Sequence, residues 1–346
     1  MTNPTANNSP KTFPVKINFD WLENPGESFE TDRMELIWSG VTLIKGNGVI
    51  LGNRLFSETT YNKIDIKKEV KNFVRHLPKT KVVKESNVFI LTDIWSTGPY
   101  HFYVDVLSKI LELREHFDWN LDKIKVLLFD DTFTDKVTIP LFKDLGLGGV
   151  KILKLKRNEQ YVLLGSNYFV TKPHIMGSNN PRVIPKVYDF IQGNLVKYRK
   201  TLDANSYKGI YYYRTGLYRK VVNDQEIIEE LTGLGFYCTS FDEFSYIEAF
   251  QLMQQTTFFV GIHGGGMTNM MFLPPNSSVI EIKNDNPDPN SHCYWHLARS
   301  LRFDYTMFVA DTIGKSNVVE GKGCDLKVDY CALKNLIQNN IKIKEQ

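Results

Sequence analysis

Residues 258–282, FFVGIHGGGMTNMMFLPPNSSVIEI, hold the densest chemistry in the chain. An apolar run leads straight into His263, Gly264, Gly265 and Gly266, after which Met267, Met270, Met271 and Leu273 keep helical spacing. Residues without side chains at a strand-to-helix junction let a ligand reach the backbone. Unpaired N–H groups and the helix dipole favour an anion there. The turn reads as a phosphate site, with tight packing as the other use of glycine at such a junction. Upstream, the run GIYYYR ends in Arg214, and Arg219 and Lys220 follow before the next helical pattern. Ligands bind beyond the carboxyl ends of parallel strands, so these cations and the glycine turn are expected on one rim. Any one of them alone could simply be solvated. Glu281 falls near the end of the next strand, placed either to accept from sugar hydroxyls or to face water.

A second constellation is LTDIWSTGPYHFYVDVLSKILELREHF, residues 91–117. At about 100° per residue, Tyr103, Val106, Leu107, Ile110 and Leu113 share one helix face, which must pack on a sheet. His101, Asp105, Ser108 and Glu112 form a stripe on the opposite face, expected in solvent. His101 and Asp105 occupy the first turns, after a loop containing Asp93 and Trp95, where an imidazole or carboxylate could take a proton from an incoming hydroxyl.

Several other chemistries fail on spacing. GKS at 314–316 would end a P-loop only with glycine five places before Gly314, where Val309 stands. HGGG also occurs in esterase oxyanion holes, but no G-x-S-x-G nucleophile elbow exists in the chain. Gly46, Gly48 and Gly52 have the wrong spacing for a dinucleotide fingerprint and suit a hairpin turn. Asp130 with Asp131, and Asp285 with Asp288, are not an Asp-x-Asp pair and read as turn or cap residues, so no metal is expected. Cys238, Cys293, Cys324 and Cys331 show no C-x-x-C spacing and are expected to be reduced.

The elements that must position these residues alternate between strand and helix patterns from residue 65 onward, the signature of parallel β-α units. A loop rich in Pro, Gly and Asn at 171–185 and a helix at 183–200 interrupt the alternation, which then restarts. With 346 residues, this suggests two α/β domains at 1–190 and 191–325, and a last helix in 326–346 that packs back on the first. Net charge is only +3, which sets nucleic acid aside. Residues 61–85 are the exception, with eight Lys/Arg against three Asp/Glu, either a solvated surface or a dock for an anionic membrane or acidic acceptor. The polar start of the sequence and the lack of any long apolar run lead to an expectation of a cytoplasmic protein without a transmembrane segment.

The basic turn at Arg214, Arg219 and Lys220, the Leu234-Gly235-Phe236 helix end, the turn from His263 to Asn269 and the strand Val279 to Glu281 together resemble the C-terminal part of glycosyltransferase family 61. IWSTGPYHFYVDVLSKI is similar to that family's Trp-containing loop before a His-x-x-x-Asp helix. The resemblance covers about a quarter of the chain, residues 91–110 and 209–283, with Gly265 where the family usually has alanine. It implies a GT-B-like α/β architecture, two Rossmann-like domains facing across a cleft, and a metal-independent, inverting transfer from a nucleoside diphosphate sugar to a glycan hydroxyl. Donor identity does not follow from the resemblance; among nucleoside diphosphate sugars a UDP-sugar is expected, and no cofactor is expected. In this reading Asp105 is the base, with His101 as the alternative or its partner, and Asp93 and Trp95 lie on the acceptor side. Arg214, Arg219, Lys220, His263 and the amides of Gly264, Gly265 and Gly266 receive the diphosphate, Thr268 and Asn269 support phosphate or sugar, and Glu281 holds the ribose. A nucleotide-sugar-binding scaffold that has lost catalysis is the alternative.

Overall fold

The computed structural model describes residues 29–30, 35–45, 48–51, 54–55, 71, 73–91, 96, 98–116, 125–156, 159–170, 179–199, 207–216, 219–284, 292–313 and 324–345. The chain divides into two compact units, Met1–Ile175 and Met176–Gln346.

The first unit is built on a mixed sheet. Its strands are β1 (Phe29–Glu30), β2 (Glu35–Lys45), β3 (Gly48–Leu51), β4 (Arg54–Leu55), β5 (Lys81–Lys84), β6 (Val88–Ile90), β7 (Lys125–Phe129), β8 (Lys151–Leu155) and β9 (Gln160–Val170). The order is β4-β3-β2-β9-β6-β7-β8, with β1 on β2 and β5 on β9. β9, β6, β7 and β8 run parallel, whereas β2, β3 and β4 add an antiparallel wing. The hairpin expected around Gly46–Gly48 is β2–β3, registered Lys45 opposite Gly48. Alternate residues Ile44, Tyr161 and Leu163 point into the core with Val88, Ile90, Leu127 and Phe169.

Pro99–His101, Phe102–Val106 and Leu107–His116 run on as one helix, α1. Its middle turn is π-helical: the Leu107 N–H bonds the Phe102 carbonyl five residues back. The expected solvated stripe is not there. Asp105, Ser108 and Glu112 are buried, as is Lys109, whose ammonium donates to the Leu91 carbonyl (2.8 Å) and lies 5.8 Å from the Phe169 ring centroid. The wide turn adds a residue to the repeat and rotates everything after it, and every residue from 102 to 110 is buried, so α1 is covered on all sides. A second helix, α2 (Ile139–Asp144), also follows a π turn, Thr134–Thr138.

The second unit is a fully parallel sheet of β10 (Gly209–Tyr212), β11 (Phe236–Thr239), β12 (Phe258–Ile262), β13 (Ser278–Lys283) and β14 (Asp304–Val309), in the order β11-β10-β12-β13-β14. Its helices are α3 (Ile184–Leu195), α4 (Asp224–Gly233), α5 (Tyr246–Met253), α6 (Cys293–Ser300) and α7 (Tyr330–Glu345), and a 3-10 helix spans Gly265–Phe272. Ser245 and Glu248 form a reciprocal cap that starts α5. The edge strand β11 escaped the sequence pattern because its four residues, FYCT, directly follow the helix end and carry no alternation. The small antiparallel pair β15 (Asp311–Ile313) and β16 (Asp325–Lys327) was likewise not foreseen.

The observed division falls before α3 rather than at 190/191. Tyr188 and Gln192 of α3 donate to the Leu273 carbonyl at 2.6 and 3.2 Å, which ties this helix to the second unit. The last helix buries Leu333 and Ile337 with Tyr211, Val260 and Ile280 in the second unit's core. None of the four cysteines is disulfide-bonded, and among the described residues no helix is long and apolar enough to cross a membrane.

At the first turn of α4, the Tyr211 hydroxyl donates to Asp224 (2.6 Å). Burial pushes this carboxyl up to about 6, and the tyrosine hydrogen bond restrains the rise. The unfolded value is about 3.9. Between the two the folded chain binds more protons than the unfolded one, so stability is lost as pH rises through the folded value. Asp224→Asn should therefore gain roughly 1 kcal/mol on wild type between about pH 4 and pH 7, after discounting for partial exposure. Urea unfolding at each pH checks this, and parallel curves for the two proteins would contradict it.

Candidate functional site

In the second sheet the chain proceeds from β10 to β11 on one side and to β12 on the other, so the switch point lies between β10 and β12. The crevice beyond the carboxyl ends of these strands is where such sheets receive ligands. Arg214 follows β10, and His263 to Gly266 follow β12. The register Tyr212 opposite Gly261 brings the two ends level.

Two of the three glycines are required by close approach. A Cβ on Gly264 would lie 1.8 Å from Nη1 of Arg214, and one on Gly266 would lie 2.2 Å from Cζ of Tyr212. The Arg214 guanidinium thus rests on the turn, with Nη1 3.4 Å from the His263 carbonyl. The turn is not sealed: His263, Gly265, Gly266 and Asn269 keep partial exposure, while Gly264 and Thr268 are buried.

Arg219 is held beside Arg214. Burial, and then the Arg214 charge, press its guanidinium below its ordinary value, although a guanidinium stays protonated in proteins. Neither arginine forms an ion pair with a carboxylate among the described residues, and the Nε of each is buried without a hydrogen-bond partner there. Arg219 has left-handed backbone (φ 59°), a conformation that costs a non-glycine residue about 1 kcal/mol and needs outside support. The support comes from the chain's end. The Lys220 N–H bonds Asp325 Oδ1 (2.9 Å), and the Leu326 N–H bonds the Lys220 carbonyl (2.7 Å). Asn223 holds the Val328 backbone on both sides (2.9 and 3.1 Å). The Lys220 side chain is half-buried.

Glu281 is fully buried and does not face a ribose. One carboxylate oxygen binds Nδ1 of His263 and the other accepts from the Tyr305 hydroxyl. Burial and the Glu281 charge push Tyr305 far above its ordinary value, so it remains a donor. Glu281 therefore acts through His263, whose side chain is 25% exposed and packs edge-on against the Tyr294 ring (5.3 Å). Tyr294 is buried next to Thr268, which places Thr268 in the supporting layer. Sequence reasoning passed over Tyr212, Tyr294 and Tyr305 because buried tyrosines read as core. The run YYYR, which ends in the basic turn, was the one available signal.

In the first unit, Nδ1 of His101 lies 2.8 Å from Oδ2 of Asp105. Asp105 is 2% exposed and His101 21%. Asp93 and Trp95 lie outside the described residues. Asp131 accepts from the Thr134 N–H (2.8 Å), and Lys154 pairs with Asp135 and lies 3.9 Å from Asp130, so this acidic run caps a helix. Asp285 and Asp288 fall outside the described residues. Among the described residues no group of three or more His, Cys, Asp or Glu is placed to hold a metal.

The second unit is thus a parallel α/β sheet whose switch point carries the glycine turn, with Arg214 resting on it and Arg219 beside Arg214. Residues 100–280, just over half of the chain, match the family model described as Glycosyltransferase 61, and the chain belongs to that family. It is 29% identical over 237 residues to an EGF domain-specific O-linked N-acetylglucosamine transferase of Bos taurus, covering 63% of this chain and 44% of that protein. The protein of the same name from Drosophila melanogaster is 28% identical over 135 residues, covering 38% and 25%. The chain thus spans less than half the length of these curated relatives. Among solved structures it is similar to the bacterial iron-containing dodecameric glycosyltransferase TibC from enterotoxigenic E. coli H10407, at 15% identity and a TM-score of 0.32 over 89% of this chain and 86% of that one.

Removing Glu281 separates the two roles considered for it. Glu281→Ala would strand the Tyr305 hydroxyl and release His263, with an expected loss of about 3 kcal/mol of stability in the ligand-free protein. A ribose ligand in that position would leave ligand-free unfolding midpoints unchanged, so calorimetric melting of the free variant decides.

Proposed function

We propose that this chain moves a sugar from a nucleoside diphosphate sugar to a hydroxyl of a glycan or glycoconjugate, by a single inverting displacement that needs no metal. The observation that carries this reading is the pair Arg214 and Arg219, like charges held together without a carboxylate partner among the described residues. Two neighbouring cations, one of them resting on a glycine turn, call for an anion bearing more than one charge, and a diphosphate leaving group is such an anion. In this reading the second unit holds the donor and the first supplies the base, the division of labour of the GT-B class.

The acceptor oxygen attacks the anomeric carbon as the bond from that carbon to the diphosphate breaks; the electron pair leaves with the diphosphate, whose developing negative charge Arg214, Arg219 and His263 stabilise. The acceptor's proton goes to His101. Asp105 was the first choice from sequence, but its burial and its bond to His101 suit it to orienting the imidazole instead, leaving Nε2 as the nitrogen that exchanges protons. Lys220 and Asn269, both half-buried, remain candidates for the outer phosphate and the donor sugar. The curated relatives are named N-acetylglucosamine transferases, so UDP-N-acetylglucosamine is the first donor to offer, alongside other UDP-, GDP-, CMP- and dTDP-sugars.

His101→Ala should lower turnover about 10²- to 10⁴-fold while UDP affinity stays unchanged. Wild-type turnover in that variant would remove His101 from the role. Arg214→Ala and Arg219→Ala should each weaken UDP binding roughly tenfold or more by calorimetry, the worth of a charge-assisted hydrogen bond. Unchanged affinity in both would end the diphosphate reading. Turnover should survive EDTA, and loss that manganese restores would overturn the metal-free step. Affinity for a donor with no turnover on any acceptor would favour the scaffold reading.

A further inference from the structure

Away from the donor rim, the first unit carries a second concentration of charge. Residues 71–84, KNFVRHLPKTKVVK, hold five Lys or Arg and no Asp or Glu, more than the net +3 of the whole chain, so the remainder is net negative. The fold turns this stretch outward and fixes its base. Phe73 is buried, and the buried Gln160 side chain at the start of β9 donates both to the Phe73 carbonyl (3.0 Å) and to the Thr80 hydroxyl (2.7 Å). Within the loop so closed, N–H groups of His76, Lys79 and Thr80 bond the carbonyls of Phe73, His76 and Leu77.

Every residue from 74 to 79 is exposed, and Val74 and Leu77 keep 56% and 49% of their surface in solvent. β5 continues the pattern with Val82, 57% exposed, between Lys81, which pairs with Glu159, and Lys84. Strand register extends the apolar face: Lys84 lies opposite Leu164, which in turn lies opposite Val41, and both of these are exposed.

Solvent-exposed aliphatic residues are ordinary when scattered. Here they interleave with cations on a pinned loop and its adjoining strand; residues 71–84 contain no Asp or Glu, and among the described residues Lys81 is the one Lys or Arg of the loop and β5 that is paired, with Glu159. One partner satisfies both features: an anionic bilayer attracts the cations to its headgroups and admits the aliphatic tips to its interface. An acidic polypeptide would answer the charge but leave Val74 and Leu77 without a counterpart. We propose that the loop 74–79 together with the outer face of β5 docks this chain on anionic lipid membranes. The proposal is independent of the sugar-transfer reading.

The test is flotation of the full chain with vesicles of phosphatidylcholine alone and with about 30 mol% phosphatidylglycerol. Binding is expected only to the second and should be released by about 0.5 M salt. Leu77→Asp, and separately the double variant Lys79→Glu with Lys84→Glu, should each weaken binding at least about tenfold with unchanged melting temperature and UDP affinity. No binding to the anionic vesicles at low salt, equal binding to neutral ones, or wild-type binding by the charge-reversed protein would overturn the proposal. Capture by polyglutamate without vesicle binding would also overturn it, putting an acidic protein in the lipid's place.

Discussion

Two positive charges that repel one another are the constraint around which the second unit is arranged. Arg214 and Arg219 stay close because each is fixed by something other than its charge: one lies on a turn stripped of side chains, and the other is forced into left-handed backbone by a clamp from the end of the chain. Their repulsion and partial burial are costs the folded protein bears before any ligand arrives. Such an arrangement persists when the surrounding fold over-determines it.

Each unit contains a histidine held by a more deeply buried carboxylate, and the two pairs differ in setting. His263 leans on Glu281, which is itself tied to Tyr305 in the neighbouring strand, so a sheet fixes this imidazole. His101 leans on Asp105 within a single helix, across a π turn that gives α1 a wider bore. Both carboxylates lie in the protein interior, where an acceptor oxygen sets the ring's orientation and which nitrogen carries the proton.

The strands and helices legible in the sequence have local signals: an apolar run into glycines for β12, a short apolar strand for β13, glycines at the first hairpin. The approach of Arg214 to the glycine turn follows an expectation from the sequence, because both segments follow parallel strands whose ends the register Tyr212 opposite Gly261 brings level. What stayed hidden depends on the surroundings. Helical periodicity puts His101, Asp105, Ser108 and Glu112 on one stripe, but it cannot reveal that α1 is covered on that side too, or that a π turn shifts the count. The role of Glu281 was hidden for a related reason. Its partners His263 and Tyr305 lie 18 and 24 residues away, and pairing across a sheet leaves no mark in local spacing. The placement of α3 and α7 in the second unit is a matter of packing, which residue patterns near 190 and 326 do not disclose.

The strap formed by Asp325, Leu326 and Val328 gives the molecule a temporal order. A ribosome that has delivered both arginines still has about a hundred residues to synthesise before the segment that shapes the Arg219 turn exists. During that interval the nascent chain has its cations but not the geometry that unites them.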